Sequence, residues 1–303
     1  MGTTRNAGTI VVGVDGSPMS DAALLWAAAQ ADRDGAELQI RYLVPMMPAV
    51  PAPGVIDFGD PQQLAGHVTE DALSKVHAAH PGLAVTSEAR PGRAAPALIE
   101  ASRRAAMVVL GARGHGRFAG LLLGSVSQQV AMHATCPVVV VRGSGRPDAG
   151  PVVVGVDGST ESEQALRFAQ RQAQSLGRPV RAVRAEYVEM PPGVPPGSWY
   201  GELVEEARTR TEEVRATVDD IADELPDVDV ELRVVHYHPV AALVDESTDA
   251  SLLVVASRGL GGFAGLLLGS VSQGVLSRAT VPVAIVPRSD AAPGEAEQGP
   301  VAQ

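Results

Sequence analysis

Cysteine is almost missing from this 303-residue chain, and aromatic residues amount to only 3%. The lone Cys136 excludes an intramolecular disulfide and a cysteine-rich metal site. Its setting, Ala134-Thr135-Cys136-Pro137-Val138-Val139, reads as the start of a buried strand, with Val281 in the equivalent place later in the chain. Few aromatics within a 45% hydrophobic composition mean cores of Val, Leu, Ile and Ala, which suits parallel sheets covered by Ala-rich helices. No block of lysine and arginine occurs and the net charge is −11, which argues against nucleic acid as a main partner. The same negative field opposes an anionic ligand, so any such site must create its own positive potential. No apolar stretch approaches the ~20 residues of a membrane span, and Met1 to Gly8 has no apolar signal core. The expectation is a soluble cytoplasmic protein with no membrane partner.

What is present is said twice. Phe118-Ala119-Gly120-Leu121-Leu122-Leu123-Gly124-Ser125-Val126-Ser127-Gln128 recurs letter for letter as Phe263 to Gln273, 145 positions on. Ile10-Val11-Val12-Gly13-Val14-Asp15-Gly16-Ser17 recurs as Val152 to Ser159, 142 positions on, with one conservative change. Two copies of one domain account for this better than a short solenoid repeat. The expected domains are 1–146 and 147–303, joined through Gly143 to Gly150, with a disordered Ala/Gly/Glu/Pro-rich tail over 289–303.

Each half alternates strand and helix. The first reads as strand Thr9–Val14, then a helix opened by Ser17-Pro18 with a stripe of Ala22, Leu25, Trp26 and Ala29. Strand Leu38–Val44 follows, then helix Pro61–Ala79 with Leu64, Val68, Ala72 and Val76 on its apolar face. Strand Leu83–Glu88, helix Arg93–Ala105, strand Met107–Leu110, helix Ser125–His133 and strand Val138–Val141 complete the half. The second half places strands at Val152–Val156, Val180–Ala185, Val230–Val235, Leu252–Val255 and Val283–Val286. This pattern predicts an α/β fold: two tandem open parallel five-stranded sheets with helices on both faces. Two proline-rich loops, Val44–Pro61 and Glu189–Trp199, follow the second strand of each half and read either as nucleotide-covering lids or as stiff surface excursions.

Ligands of open parallel sheets bind beyond the C-terminal strand ends, and two motifs fall there. Val14-Asp15-Gly16-Ser17 ends strand one and opens helix one. Gly111-Ala112-Arg113-Gly114, nine residues, then Gly124-Ser125 ends strand four and opens helix four. Glycine lets a backbone N–H approach an oxyanion closely. The free N–H groups of Ser125, Val126 and Ser127 point out of a helix N-terminus carrying about half a positive charge. Such a cradle needs no lysine, and the G-x-x-x-x-G-K-[ST] pattern occurs in neither half. Against it stands a structural reading, in which the glycines make a tight turn and Ser125 is an N-cap. Asp15 and Asp157 have three candidate roles: hydrogen bonds to ribose or the adenine side, a share in holding Mg²⁺, or an Asx-turn.

The Val-Gly-Val-Asp-Gly-Ser opening, the Gly-x2-Gly-x9-Gly-Ser spacing and the closing Cys136 to Val141 strand together resemble the universal stress protein family in its tandem form. The resemblance implies a Rossmann-like, adenine nucleotide alpha hydrolase-like fold. It also implies binding of ATP or a related adenine nucleotide, with or without Mg²⁺, and a regulatory role in stress, dormancy or growth. It further implies antiparallel pairing of Val138–Val141 with Val283–Val286 inside the chain, and a homodimer beyond that pair. Carried onto this sequence, the first nucleotide site comprises Gly13 and Val44 by the base, Asp15 at the ribose, and Gly111, Ala112, Arg113, Gly114, His115, Gly116, Arg117, Gly124, Ser125 and Val126 around the phosphates. The second comprises Gly155, Asp157, Glu186, Ala256, Ser257, Arg258, Gly259, Leu260, Gly261, Gly262, Gly269, Ser270, Val271 and Ser272.

The copies differ. Ala256 replaces Gly111, Leu260-Gly261-Gly262 replaces His115-Gly116-Arg117, and Glu186 stands where Val44 does. Glu186 either accepts from an adenine amino group or faces water. Two sites of unequal affinity follow as the expectation, the first tighter. Arg113 and Arg258 read as phosphate-neutralising cations or exposed loop residues. His67, His77 and His80 read as solvated helix-face residues, and His236 and His238 lack a third ligand, so no metal site is expected. No Ser/His/Asp or Cys/His catalytic arrangement assembles. The competing reading is a slow ATP hydrolase or nucleotidyl-transferring enzyme using the same cradle, and a third is a ligand-free interaction module.

Overall fold

The computed structural model describes residues 8–44, 61–114, 123–143, 150–187, 200–260 and 267–288. The first half runs β1 (Thr9–Val14), α1 (Pro18–Asp34), β2 (Glu37–Val44), α2 (Pro61–Ala79), β3 (Val85–Pro91), α3 (Ala94–Ser102), β4 (Met107–Gly111), α4 (Ser125–His133) and β5 (Val138–Val141). The second runs β6 (Val152–Gly155), α5 (Thr160–Leu176), β7 (Val180–Ala185), α6 (Tyr200–Ala222), β8 (Val230–Val235), α7 (Pro239–Glu246), β9 (Leu252–Ala256), α8 (Ser270–Arg278) and β10 (Val283–Val286).

Within each half the five strands are parallel, as the alternating order requires. The two five-stranded sheets join into one of ten strands, ordered β3-β2-β1-β4-β5-β10-β9-β6-β7-β8, through the expected antiparallel pairing of the fifth strands. The seam is the antiparallel pair β5–β10, with Val283 opposite Val140 and Ile285 opposite Val138. Both seam strands are buried throughout. Alternation of side chains along each strand feeds two cores, one per face of the sheet. Ile10, Val12, Val152 and Val154 pack under α1, α2, α5 and α6; Val11, Val108, Val153 and Val283 pack under α3, α4, α7 and α8. Each core runs through both halves.

The helix starts follow local chemistry. Ser17 and Ser159 cap α1 and α5, their hydroxyls accepting from Ser20 and Ser162 N–H at 3.2 and 3.1 Å. Gly35 and Gly177 close the same helices in the left-handed conformation, both at φ 64°. The expected stripe on α1 is met in part, with Trp26 buried and Ala22 packed against the core. Leu25 is 45% exposed, and the buried face comprises Ala23, Leu24, Trp26, Ala27, Ala28 and Ala31. Contact with β1, β4, α2 and α5 makes that face wider than a single stripe. On α2, Val68, Ala72 and Val76 do face the core. The third strand begins later and ends later than expected. Leu83 is buried in the turn before it, and β3 is an edge strand whose polar, exposed residues give little periodicity. Helix α3 is shorter than Arg93–Ala105, because Arg103 and Arg104 bond back three residues in a tightening turn. The proline-rich loops, the linker core and the tail lie outside the described residues.

Candidate functional site

Construction of the site begins at the ends of β1 and β6. Glycines 16 and 158 adopt φ 80° and 90°, turning the chain sharply into the helix. Asp15 Oδ1 accepts from Ser17 N–H at 3.0 Å, and Asp157 Oδ1 accepts from Ser159 N–H at 2.9 Å and Ser159 Oγ at 2.5 Å. The Asx-turn role is therefore present in both copies. It uses only one carboxylate oxygen. The other turns toward the glycine-rich loop: Asp157 Oδ2 accepts from Leu260 N–H at 2.9 Å. A Cβ on Gly114 would lie 2.0 Å from Asp15 Oδ2, and one on Gly259 would lie 2.1 Å from Asp157 Oδ2. Glycine at these two places leaves the space that the carboxylate occupies.

The other glycines divide by what surrounds them. At Gly13 a Cβ would strike Leu110 and Leu98, so this glycine lets α3 close on the sheet. At Gly111 it would strike Met19 O at 2.7 Å, in the first turn of α1. The change from Gly111 to Ala256 thus concerns helix-to-strand spacing and gives no reason for a weaker second site. Gly124 and Gly269 are different. Each is the N-cap of its helix at an ordinary negative φ, with no side-chain cap bond. Their nearest neighbours to an added Cβ are Ala112 O at 3.3 Å and Ser257 O at 3.4 Å. At Gly269 that is ordinary contact, so the fold has little need of glycine there; at Gly124 it is tight against a backbone carbonyl.

The loop between strand and helix is closed identically in both copies. Gly124 N–H donates to Ala112 O at 2.8 Å and Gly269 N–H to Ser257 O at 2.7 Å. Ser127 and Ser272 hydroxyls pin the helix to the strand end, donating to Gly111 O at 2.7 Å and Ala256 O at 2.6 Å. Ser125 and Ser270 occupy the first helical position and are exposed, so neither is the cap; Val126 and Val271 are half-buried behind them. The first-turn N–H groups of α4 and α8 lie at the positive end of a helix dipole, an arrangement that can hold an anion.

In the second half the cradle opens onto a cavity of about 420 Å³ lined by Gly155, Asp157, Ala256, Arg258, Gly259, Gly269, Ser270, Val271 and Ser272 among others. That volume suits a small-molecule site. Ser257 is buried beside it and Leu260 is 60% exposed. In the first half Ala112 and Gly111 are buried, Arg113 and Gly114 exposed, and Val44 half-buried with its carbonyl accepting Gly92 N–H at 3.0 Å. His115, Gly116, Arg117, Gly261 and Gly262 lie outside the described residues.

Glu186 is held from two sides. Its carboxylate accepts from the Thr211 hydroxyl and meets His236 Nδ1 at 3.1 Å. His238 caps α7, its Nδ1 accepting from Val240 N–H at 3.3 Å. His67 and His77 are exposed and His80 pairs with Asp32 at 2.9 Å. Among the described residues no three His, Cys, Asp or Glu side chains gather as a metal site, and no helix is long and apolar enough to cross a membrane.

Sequence reasoning missed Arg184, which lines the cavity. It is 9% exposed, its Nη1 donates to Asp157 O at 3.0 Å, and burial pulls its pKa down. Its counterpart Tyr42 is also buried, with a pKa raised by burial and then by Asp15. The strand Val180–Ala185 carries two arginines, Arg181 and Arg184, and nothing in the sequence shows which of them enters the cavity. Leu243, Leu268 and Pro239 also line the cavity and carried no signal in the sequence.

A family model described as the universal stress protein family matches residues 6–142 and 149–287. A universal stress protein of Mycobacterium tuberculosis is 37% identical over 304 residues, covering 95% of this chain and all of that one. One from Mycolicibacterium smegmatis is 37% identical over 290 residues, covering 91% and 96%. The crystal structure of a universal stress protein from Archaeoglobus fulgidus superposes with a TM-score of 0.70 at 22% identity, covering 94% of this chain and 98% of that one.

Proposed function

The chain belongs to the universal stress protein family, and from that premise we propose that it binds adenine nucleotides, ATP foremost, at one cradle in each half. Binding serves as a conformational signal in the regulation of stress response, dormancy or growth, and not as the first step of rapid turnover. The observation that carries the reading is the pair Gly124 and Gly269. Both are glycines at a helix N-terminus; at Gly269 an added Cβ would be in ordinary contact at 3.4 Å, so a ligand accounts for the bare backbone better than the fold does, while at Gly124 the 3.3 Å approach to Ala112 O is tighter. The cavity before Gly269 is the space for that ligand. Charge-assisted contacts of about 1.5–3 kcal/mol each then offset the acidic field of the chain.

Rapid phosphoryl transfer needs a residue that orients the nucleophile. Among the described residues lining the cavity Asp157 is the only carboxylate, and three donors already engage it. This favours a sensor over an enzyme. Mg²⁺ fits as an ion carried chiefly by the phosphates, with Asp157 as its single carboxylate neighbour. A cytoplasmic setting suits an ATP ligand. A homodimer would form through surfaces other than the fifth-strand edges, which are consumed at the seam.

The test uses Ser125→Asp and Ser270→Asp. Aspartate at a first helical position stabilises the helix by about 0.3–1 kcal/mol and places a negative charge where phosphate would sit. Each variant should lose one of two ATP sites in calorimetry while its melting temperature holds or rises. Two sites retained in both variants would refute the phosphate assignment.

A further inference from the structure

Because β5 and β10 run antiparallel, the half-sheets lie head to tail. Helix α8 starts at the second cradle and ends where β10 begins, which is the C-terminal end of β5. There the first half reaches across. Arg142, directly after β5, donates from Nη2 to Leu276 O in the last turn of α8. A cation on the terminal carbonyls satisfies groups the helix cannot pair internally and complements the negative end of its dipole. Arg142 is half-buried, and its Nε is enclosed without a partner. It is also next to the first cradle: Gly111 pairs with Val141, and Ala112 N–H donates to Val141 O. Burial, and secondarily the charge of Arg113, lowers its pKa. The arrangement runs one way only. The repeat counterpart of Arg142 is Pro287, whose side chain has no donor for α4.

We propose that Arg142 of the first half is a positioning residue for the second half's anion site, holding the carbonyl end of the helix whose amide end forms the cradle. The proposal rests on the nucleotide reading above. With the terminal carbonyl engaged, α8 keeps its first-turn N–H groups aimed at the cavity. The guanidinium charge acts on the ligand along a nine-residue helix, about 13 Å by the rise per residue.

The experiment compares Arg142→Met, Arg142→Lys and the parent in full-length chains carrying Ser125→Asp, so that calorimetry reads the second half alone. ATP should bind Arg142→Met about fivefold more weakly, AMP should lose less, and adenosine should be unaffected. Lysine should recover part of the loss. An unchanged ATP affinity, or equal losses for ATP and adenosine, overturns the proposal. If Arg142→Met fails to fold, Arg142→Gln replaces it under the same criteria. A Ser125→Asp parent that takes up no ATP sinks the nucleotide reading and this one together; a parent that binds, with Arg142→Met equal to it, sinks this one alone.

Discussion

Alanine at position 269 should separate the needs of the fold from those of the ligand. The backbone there has φ −70° and ψ 157°, open to any residue, and an added Cβ would meet Ser257 O at 3.4 Å and Arg258 Cα at 3.6 Å. Replacing glycine at a compatible site stabilises by about 0.4–1 kcal/mol through the unfolded chain. Alanine is a poorer N-cap than glycine by a similar amount. The two offset, so stability should stay within about 0.5 kcal/mol and the melting temperature within about 2 °C. Yet the methyl group stands at the lip of the cradle, and loss of one charge-assisted contact of about 1.5–3 kcal/mol weakens ATP at that site at least about tenfold. Gly259→Ala is the contrasting control. Its Cβ would lie 2.1 Å from Asp157 Oδ2, so the carboxylate must turn away, breaking the Leu260 bond and costing roughly 1–2 kcal/mol. Thermal melts and calorimetric titration of both variants decide the matter. A Gly269→Ala protein that binds ATP like the parent would show that the glycine has no ligand to serve.

Two further outcomes test the packing. Leu24 is fully buried and Leu25 is 45% exposed, so Leu24→Ala should cost about 2–5 kcal/mol and Leu25→Ala less than about 0.5 kcal/mol, measured by denaturant unfolding. Equal costs would mean that the register of α1 is wrong. Burial pushes the Cys136 thiol up from its ordinary 9.0 to about 12. The folded thiol stays neutral where the unfolded one ionises, so its contribution is complete below pH 9 and disappears as pH climbs toward 12. Native protein at pH 8 should resist maleimide and react once unfolded; rapid native labelling would refute the burial.

Much of the architecture was legible because physical signals coincided. For α1 and α4 and for β1 and β5, the run of Val and Ile, the Ser-Pro start or the Gly-Ser step marked the elements where the chain places them. Duplication then pointed to the site. What could not be read was three-dimensional. Gly13, Gly111 and Gly114 look alike as letters, yet one clears α3, one clears α1 and one admits a carboxylate. Gly269 differs from these, since an added Cβ there would make only ordinary contact. Arg184 and Arg142 act on groups 27 and 134 positions away, which no local pattern reveals. The stripe on α1 was right at Trp26 and wrong at Leu25, since an Ala-rich helix touched on several sides has no single apolar line.

The seam has a consequence for crowding. A sheet normally offers two open margins, and here the margin each half would have exposed at its fifth strand is spent on the other. What remains is β3 and β8, and both are studded with charge. Glu88 sits between Arg41 at 3.6 Å and Arg90 at 3.7 Å, and Arg233 lies between Glu231 at 3.3 Å and Glu246 at 3.2 Å. An incoming strand would have to strip water from these pairs before zipping on. Growth into a ribbon with its own copies is thereby disfavoured, even at high concentration.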